Sequence, residues 1–300
     1  MEKLKIIAIV GPTSSGKSAL AVKLAKKFRG EIVSADSRQI YKGMDVGTAK
    51  PTKKELKIVP HYLIDIKNPN QNYTLSQYKN DAIKAINKII KRGKIPFLAG
   101  GTGLYIDAVI DNLEIPQVKP NQKLRKKLEK EIETKGLKYV FDKLVSLDPE
   151  SAYIIDPNNP RRVIRALEIT LLTNKPFSQQ RKKGEPLFHT LKIGLALPPE
   201  KLQERINKRV DLMLKNGLLK EVKNLLIKYG SKPIAFDAIG YREIIDYFRG
   251  KIPREEVINL IKKNTWRFAK RQMTWFKRDK NICWIDSEKQ AEKLARRFID

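Results

Sequence analysis

The chain has 300 residues, 41% of them hydrophobic, which is enough for one main domain with a subdomain or insertion. Its 62 lysine and arginine residues against 33 acidic residues give a formal net charge of +29. This charge indicates either a polyanionic partner or a lysine-rich surface with no particular role. The single cysteine excludes an intrachain disulfide, and with two histidines it leaves too few ligands for a typical structural zinc site.

The apolar runs are short. Residues 6–10 and 282–285 are among the longest, far below the roughly 20 residues that cross a bilayer. We therefore expect no transmembrane helix and no membrane partner. The first residues lead directly into a strand-like segment without a secretory signal, so we expect a cytoplasmic protein. We also expect a monomer.

The first hundred residues alternate between strand and helix patterns. An apolar run at 5–10 ends at Gly11 and predicts a strand buried on both faces of a parallel sheet. Apolar residues at helical spacing over 17–28 predict the helix that follows. Further strands are predicted at 31–34, 62–66 and 95–99, and a further helix at 74–92. This alternation predicts an α/β fold with a largely parallel sheet.

The pattern changes near residue 114. A charged helix is predicted at 121–135, and Asn159 and Pro160 fit the cap and first position of a helix that runs to 172. After these come a strand at 190–197, helices at 199–229 and 254–277, a strand at 282–285 and a closing helix. Cys283 fits a buried position on that last strand. We predict an α/β core of residues 1–114 and 188–300, interrupted by an all-helical insertion at 115–187.

A glycine-rich loop joins the first strand and helix and fits the pattern G-x-x-x-x-G-K-[ST]. Backbone amides of such a loop cradle phosphates, Lys17 neutralises outer phosphate oxygens, and the Ser18 hydroxyl binds Mg²⁺. The alternative is an ordinary strand-to-helix turn. The predicted phosphate-binding residues are Gly11, Pro12, Thr13, Ser14, Ser15, Gly16, Lys17 and Ser18.

Two further loops follow predicted strands. Gly100 and Gly101 precede Thr102, whose hydroxyl can donate to a phosphate oxygen, although such a glycine pair more often forms only a turn. Asp36 follows the second strand at the sheet edge where α/β proteins bind ligands, and it serves there as a base or merely as a helix cap. A nucleotide hydrolase would have an apolar strand ending in a magnesium-positioning acid, and only Asp65 has a comparable context, which disfavours a plain ATPase or GTPase.

Nine stretches, in order along nearly the whole chain, resemble the motifs of one family, the tRNA dimethylallyltransferases or tRNA isopentenyltransferases of bacterial type. These stretches are 11–18, 35–41, 44–51, 61–65, 100–105, 156–162, 165–168, 238–243 and 271–276. The resemblance implies a P-loop NTPase-like α/β core with a largely parallel sheet flanked by helices, plus an all-helical insertion domain.

The resemblance also implies a reaction. A dimethylallyl group passes from dimethylallyl diphosphate to the exocyclic N6 amine of the adenosine 3′ of the anticodon, giving N6-dimethylallyladenosine and diphosphate, with Mg²⁺ as cofactor. Asp36 is implied to orient and deprotonate the amine, and Thr102 to lie at the reaction channel. Lys17 stabilises the departing diphosphate, and Arg165 is our choice for a second diphosphate contact.

The implied partner is the tRNA anticodon stem-loop, whose target base must flip out to reach the site. By resemblance the tRNA-binding residues are Asp36, Ser37, Arg38, Gln39, Thr102, Arg125, Arg161, Arg162, Val163, Ile164 and Arg165. Residues 262–280 carry eight lysines and arginines between four aromatic residues. At helical spacing those aromatics favour the core, which leaves the cations to face RNA.

Three other functions remain open from the residues alone. An adenylate isopentenyltransferase shares the phosphate loop and the Asp36 motif, but it prenylates a free nucleotide. A small-molecule kinase and a non-catalytic RNA-binding protein are the alternatives of other classes. The helical insertion, the stretch 161–168 and the basic C-terminal region favour tRNA as the acceptor.

Overall fold

The structure is a computed structural model that describes residues 3–116, 118–180 and 182–300. It divides into two compact units. One runs up to Ile110 and resumes over Pro186–Asp300, and the other is Asp111–Glu185. The sequence predicts these boundaries at 115 and 187. The second unit begins and ends slightly earlier, and its two connecting segments are joined by the Glu114 amide, which donates to the Lys182 carbonyl at 2.9 Å.

The first unit contains one sheet of six parallel strands. The strands are β1 (Lys5–Val10), β2 (Glu31–Ser34), β3 (His61–Tyr62), β4 (Pro96–Gly100), β5 (His189–Leu195) and β6 (Ile282–Ile285), in the spatial order β3-β2-β4-β1-β5-β6. Every neighbouring pair is parallel. This sheet, flanked by helices, confirms the predicted α/β class.

The α-helices of the described residues follow the sequence pattern closely. In chain order they are α1 (Lys17–Lys27), α2 (Lys53–Ile58), α3 (Leu75–Ile90), α4 (Gly103–Ile110), α5 (Gln122–Lys135), α6 (Leu137–Leu147), α7 (Ser151–Ile154), α8 (Pro160–Thr173), α9 (Pro199–Lys215), α10 (Leu218–Tyr229), α11 (Tyr241–Phe248), α12 (Arg254–Phe276) and α13 (Glu288–Ile299). None of them combines the length and the apolar composition that a membrane span needs.

The central strand β1 is apolar on both faces because a layer packs on each side of the sheet. Ile7 and Ile9 face a cluster that includes Leu24 of α1. Ile6 and Ala8 face the opposite cluster, which α3 and α4 complete. A third cluster lies among α9 to α12. The alternation of β1 therefore fixes which helices cover which face.

The structure contradicts two predictions and adds detail to a third. The strand expected at 62–66 stops at Tyr62, because Leu63 and Asp65 have positive φ angles of 62° and 56°, which end strand pairing. The segment expected to be helical at 199–229 is helical, and it consists of two helices, α9 and α10, that are separated at Gly217, whose φ is 92°. Cys283 is exposed rather than buried, although Ile282 and Ile285 on the same strand are buried.

The second unit consists of helices α5 to α8 and a short 3₁₀ turn, and its described residues contain no strand. Its core includes Leu128, Val140, Leu144 and Leu167. The predicted cap of α8 is confirmed: the Asn159 side chain accepts from the Arg162 amide at 3.2 Å, and Pro160 takes the first helical position.

Candidate active site

Three loops leave neighbouring strands at one edge of the sheet. Strands β2, β4 and β1 are adjacent, and Ser34 pairs with Ala99 while Val10 pairs with Gly100. All three strands run in the same direction, so the loops after them emerge together at the carboxyl end of the sheet, where α/β proteins bind ligands. The structure thus brings together the phosphate loop (residues 11–18), the Asp36 loop (35–39) and the Gly101 loop (100–102).

The phosphate loop has the backbone geometry that its glycines permit. Gly11 and Gly16 have φ angles of 146° and 98°, and a Cβ atom on Gly11 would lie 2.7 Å from the Leu195 carbonyl oxygen. The Ser14 and Ser15 hydroxyl oxygens are buried and have no hydrogen-bond partner among the described residues. Buried hydroxyls normally have a hydrogen-bond partner. Because these two have none among the described residues, they can donate to a ligand oxygen.

Lys17 begins α1, and its ammonium is held by the loop itself. Nζ donates to the Pro12 carbonyl at 3.0 Å. Burial, reinforced by the nearby Arg209, lowers the pKa of Lys17 to about 8, while Asp36 acts in the opposite direction. Lys17 forms no ion pair with a carboxylate of the described residues. Ser18 follows it and is exposed in the first turn of the helix.

Two arginines of α9 add positive charge to the phosphate loop, and the sequence analysis missed both. The Arg205 guanidinium donates to the Ser15 carbonyl at 3.2 Å. Burial lowers the pKa of Arg209, against the influence of Asp36. The two arginines are four residues apart and share a helix face. That spacing is visible in the sequence, but α9 reaches the loop only because β5 lies next to β1.

Asp36 has one oxygen engaged and one available. Oδ1 accepts from the Arg38 amide at 2.8 Å and from the Gln39 amide at 3.3 Å. These bonds are those of a residue that caps a turn. Oδ2 has no hydrogen bond with the described residues, and the side chain is partly exposed. The cap and the base, which the sequence treats as alternatives, are therefore compatible in this geometry.

Thr102 connects two of the loops. Its Oγ1 accepts from the Ser37 amide at 3.0 Å, and its own amide donates to the Ala35 carbonyl at 3.1 Å. The hydroxyl hydrogen of Thr102 remains available to donate. Gly100 permits this contact, because a Cβ atom there would lie 2.1 Å from the Ala35 carbonyl oxygen. The glycine therefore serves close approach of two protein loops.

The side chains of Arg38 and Gln39 point at neighbouring backbone. The Arg38 guanidinium donates to the Ile234 and Ala235 carbonyls at 3.1 and 3.3 Å. The Gln39 amide donates to the Thr48 and Ala49 carbonyls at 3.4 and 3.3 Å. These contacts fix the loop that carries Asp36. The RNA contacts expected of Ser37, Arg38 and Gln39 stay a prediction.

In the second unit, two of the expected RNA-binding arginines hold a buried acid. Glu168 is fully buried, and Arg125 donates to it from Nε and Nη2 at 2.9 and 2.8 Å. Arg165 also donates to Glu168, and to the Val118 carbonyl at 2.8 Å. Burial alone would raise the pKa of Glu168, but the hydrogen bonds from Arg125, Arg165 and the Asn121 amide outweigh it and lower the pKa.

The other expected residues of α8 divide by exposure. Arg161 and Arg162 are exposed. Val163 and Ile164 are buried in the core of the second unit, so their side chains pack inside the protein, and the tRNA contact expected of them stays a prediction. An amphipathic helix explains the difference, because one face packs in the core while the other faces solvent.

The aromatic residues of the basic segment on α12 also differ in their exposure. Phe276 is buried, as predicted for a core aromatic. Phe268 is 37% exposed, and the Arg271 guanidinium lies 5.9 Å from its ring centroid. Similarly, the Lys270 ammonium lies 5.0 Å from the Trp266 ring centroid. The segment therefore presents cations against aromatic faces at its surface.

Comparison with known proteins agrees with this geometry. The IPP transferase family model matches residues 39–279. A tRNA dimethylallyltransferase of Thermoanaerobacter sp. (strain X514) is 47% identical over 99% of this chain and 96% of its own length. Two solved structures are also similar. A tRNA isopentenylpyrophosphate transferase from Bacillus halodurans is 41% identical, with a TM-score of 0.72 over 99% of this chain and 95% of that one. A eukaryotic dimethylallyltransferase acting on tRNA is 30% identical, with a TM-score of 0.79 over 99% of this chain and 79% of that one.

These matches confirm the resemblance on which the sequence analysis rested. They also agree with the parallel sheet and its phosphate loop, because the similar structures cover nearly the whole chain. The similar proteins named above are tRNA dimethylallyltransferases and tRNA isopentenylpyrophosphate transferases. The chain belongs to the IPP transferase family.

Proposed function

We propose that this chain transfers a dimethylallyl group from dimethylallyl diphosphate to the N6 amine of the adenosine 3′ of the anticodon in tRNA. The observation that supports it best is the meeting of the phosphate loop, Asp36 and Thr102 on three adjacent strands. One loop then suits a leaving diphosphate, and the other two suit an attacking amine. The names of the similar proteins agree with this substrate pair.

The leaving group requires stabilisation of negative charge. As the allylic C–O bond breaks, its electron pair goes to the diphosphate, which leaves as an anion. Lys17 and the amides of the phosphate loop can bind that anion, and Arg205 and Arg209 add positive charge beside them. Preorganised donors of this kind contribute most where charge develops in the transition state. The second diphosphate contact that the resemblance led us to expect of Arg165 stays a prediction, because Arg165 donates to Glu168 and to the Val118 carbonyl in the structure.

A divalent cation fits this arrangement only together with the substrate. No cluster of three or more histidine, cysteine or acidic side chains that could hold a metal exists in the part of the chain that the structure describes. Mg²⁺ commonly takes one protein oxygen plus substrate phosphate oxygens and water. Ser18, exposed beside Lys17, offers such a hydroxyl. When bound there, Mg²⁺ would neutralise part of the diphosphate charge.

The acceptor amine requires a base. Adenine N6 is a poor nucleophile because its lone pair is delocalised into the ring. In the proposed step N6 forms the C–N bond to the allylic carbon, and its proton goes to Oδ2 of Asp36. Oδ1 meanwhile stays bonded to the amides of Arg38 and Gln39, which keeps the carboxylate oriented. The free hydroxyl hydrogen of Thr102 can bind either substrate beside it.

The RNA partner is supported by charge. The net charge is +29. Exposed Arg161 and Arg162 on α8 and the cations of α12 around Phe268 contribute to this positive charge. Such groups bind phosphates and, with aromatic faces, unstacked bases. We propose that Arg161 and Arg162 contact the anticodon stem-loop and that the chain acts as a monomer. For Val163 and Ile164, only backbone contacts to RNA remain in the proposal.

One assay tests this function. Purified protein is given radiolabelled dimethylallyl diphosphate and Mg²⁺ with unmodified tRNA, with AMP, or without acceptor. We expect label on tRNA alone, located at the adenosine 3′ of the anticodon. Label on AMP instead would indicate an adenylate isopentenyltransferase. Absence of transfer to any acceptor, combined with retained tRNA binding, would indicate a non-catalytic RNA-binding protein.

A further inference from the structure

Gln272 lies in the stretch 271–276, which shares the family pattern but has no role in the mechanism above. It stands on α12, and its side chain is buried. Oε1 accepts from the Thr13 amide at 2.8 Å, and Nε2 donates to the Gly101 carbonyl at 2.7 Å. One side chain amide thereby joins the phosphate loop to the Gly101 loop.

The orientation of this amide follows from its partners. A backbone N–H can only donate and a backbone C=O can only accept, so the oxygen of Gln272 must face Thr13 and the nitrogen must face Gly101. Glutamate would offer no donor, and methionine would offer neither group. Glutamine therefore satisfies both loops with one side chain of this length.

The absence of a side chain at Gly101 leaves room for the Gln272 amide. A Cβ atom on Gly101 would lie 2.3 Å from Nε2 of Gln272 and 3.4 Å from Nζ of Lys17. Any larger residue would push the Gln272 amide away. The junction between the two loops thus lies directly beside the ammonium that serves the diphosphate in the proposed mechanism.

We propose that Gln272 is a positioning residue that sets the spacing between the two substrates. The phosphate loop holds the leaving diphosphate, while Thr102, next to Gly101, holds the Asp36 loop through the Ser37 amide. Gln272 joins the two sides without touching either substrate. The inference rests on the proposed function, because it assigns the two loops to the two reactants. A displacement of about 1 Å between reactants can lower a rate by about 10²-fold.

Two variants remove the junction in different ways. Gln272→Met keeps the volume but loses both hydrogen bonds, and Gln272→Glu keeps the acceptor for Thr13 while losing the donor to Gly101. We expect Gln272→Met to lower the single-turnover rate at saturating substrates by about 10- to 10²-fold. Its affinities for inorganic diphosphate and for tRNA should change less than about threefold, because Gln272 binds neither.

The matched control is Gln203→Met on α9. In the described part of the chain Gln203 donates to Asn207 of its own helix alone, at 3.0 Å, so the same chemical change there does not affect the loops. We expect its single-turnover rate to stay within about twofold of wild type.

Hydrogen exchange of the Thr13 amide gives a readout that does not depend on activity. Protection of this amide should be lost in Gln272→Met and kept in Gln272→Glu, whereas both variants should lose rate. If Gln272→Met does not fold, Gly101→Ala makes the same test from the other side, since the new methyl group displaces the Gln272 amide. We expect the same loss of rate with unchanged diphosphate affinity.

The outcomes are distinguishable. Loss of Thr13 protection with a wild-type single-turnover rate overturns the positioning role. A diphosphate affinity that falls as far as the rate also overturns it, because Gln272 would then belong to the diphosphate site. If wild type and Gln203→Met both fail to prenylate tRNA, the proposed function itself is wrong, whatever the exchange of Thr13 shows.

Discussion

The molecule uses cations in two contrasting ways. At the phosphate loop, Lys17 and Arg205 donate to the backbone carbonyls of Pro12 and Ser15. In the second unit, Arg125 and Arg165 donate to the buried carboxylate of Glu168. The first pair has no directly bonded acid partner among the described residues, and the second pair has its charge compensated inside the protein.

This difference separates a ligand site from a structural one. A buried carboxylate without a partner is strongly destabilising, so the arginines around Glu168 stabilise the fold whether or not RNA binds. Carbonyls only orient a cation, and its full charge remains for an anion that arrives later. The pairing partner of a cation therefore indicates its role better than its position in a motif does.

Asp36 is the acid whose charge influences both Lys17 and Arg209, and changing it gives the largest expected effect. Asp36→Asn keeps the shape and the acceptor for the Arg38 amide but removes the proposed base. We expect a loss of about 10²–10⁴-fold in the single-turnover rate, the usual range for a positioned general base. Both substrates should be saturating in this measurement.

Binding of inorganic diphosphate to Asp36→Asn is the control. It should change little, because the ligand-facing cations are intact. Turnover close to wild type would reduce Asp36 to a turn cap and would leave the proposed mechanism without its base.

Lys17→Ala removes a cation that, within the described residues, is hydrogen-bonded to the Pro12 carbonyl alone. We expect the transfer rate to fall by about 10²–10³-fold, which is the typical cost of losing one donor to a developing anion. The affinity for tRNA should be nearly unchanged. Lys23→Ala on the same helix is the matched control, because Lys23 is exposed and pairs with Glu288. An equal loss of tRNA affinity in Lys17→Ala would contradict this division between the two substrates.

Local patterns predicted much of the fold. Asn159 and Pro160 mark the start of α8, and the glycine pattern marks the loop after β1, because caps and loops depend on neighbouring residues alone. The positive φ angle of Asp65 had no such signal. Tertiary contacts, rather than residue preference, hold that turn, with Lys50 paired to Asp65.

The candidate site was predictable only in part. Lys17, Asp36 and Thr102 follow strands in sequence, so their shared edge could be inferred. Arg209 and Gln272 reach the site from helices far along the chain, and their approach depends on the order of the strands and helices in space. Periodicity cannot give that order. Exposed Arg162 and buried Val163 differ as side-chain polarity along an amphipathic helix indicates, whereas the family resemblance grouped both as RNA-binding residues.

Two arginines of the second unit, one exposed and one paired with a buried acid, should differ in the effect of their substitution. Arg162 is exposed, so Arg162→Ala should weaken tRNA binding by about tenfold at low salt and reduce the salt slope by about one. Arg125→Ala should mainly lower the free energy of unfolding, by roughly 1–3 kcal/mol, because Glu168 loses a partner. Titration of tRNA at several salt concentrations and urea unfolding measure the two effects. A loss of RNA affinity in Arg125→Ala without a loss of stability would support the RNA contact that the family resemblance implies for Arg125.

The smallest effect concerns pH. The pKa of Lys17 lies at about 8 in the folded protein, below its ordinary value of 10.5, because of burial and the neighbouring Arg209. The ammonium therefore loses its charge over the range from about pH 7 to 9, where an ordinary lysine would stay charged. Since a diphosphate favours the charged form, affinity for a dimethylallyl diphosphate analogue should fall by about fourfold between pH 7 and 8.5. Lys17→Arg keeps its charge over this range, so the difference in pH dependence between wild type and this variant isolates Lys17 from any titration of the ligand. Identical pH profiles for the two proteins would mean that the charge of Lys17 does not contribute to diphosphate binding. The claim that Lys17 keeps its charge for the ligand would then be wrong.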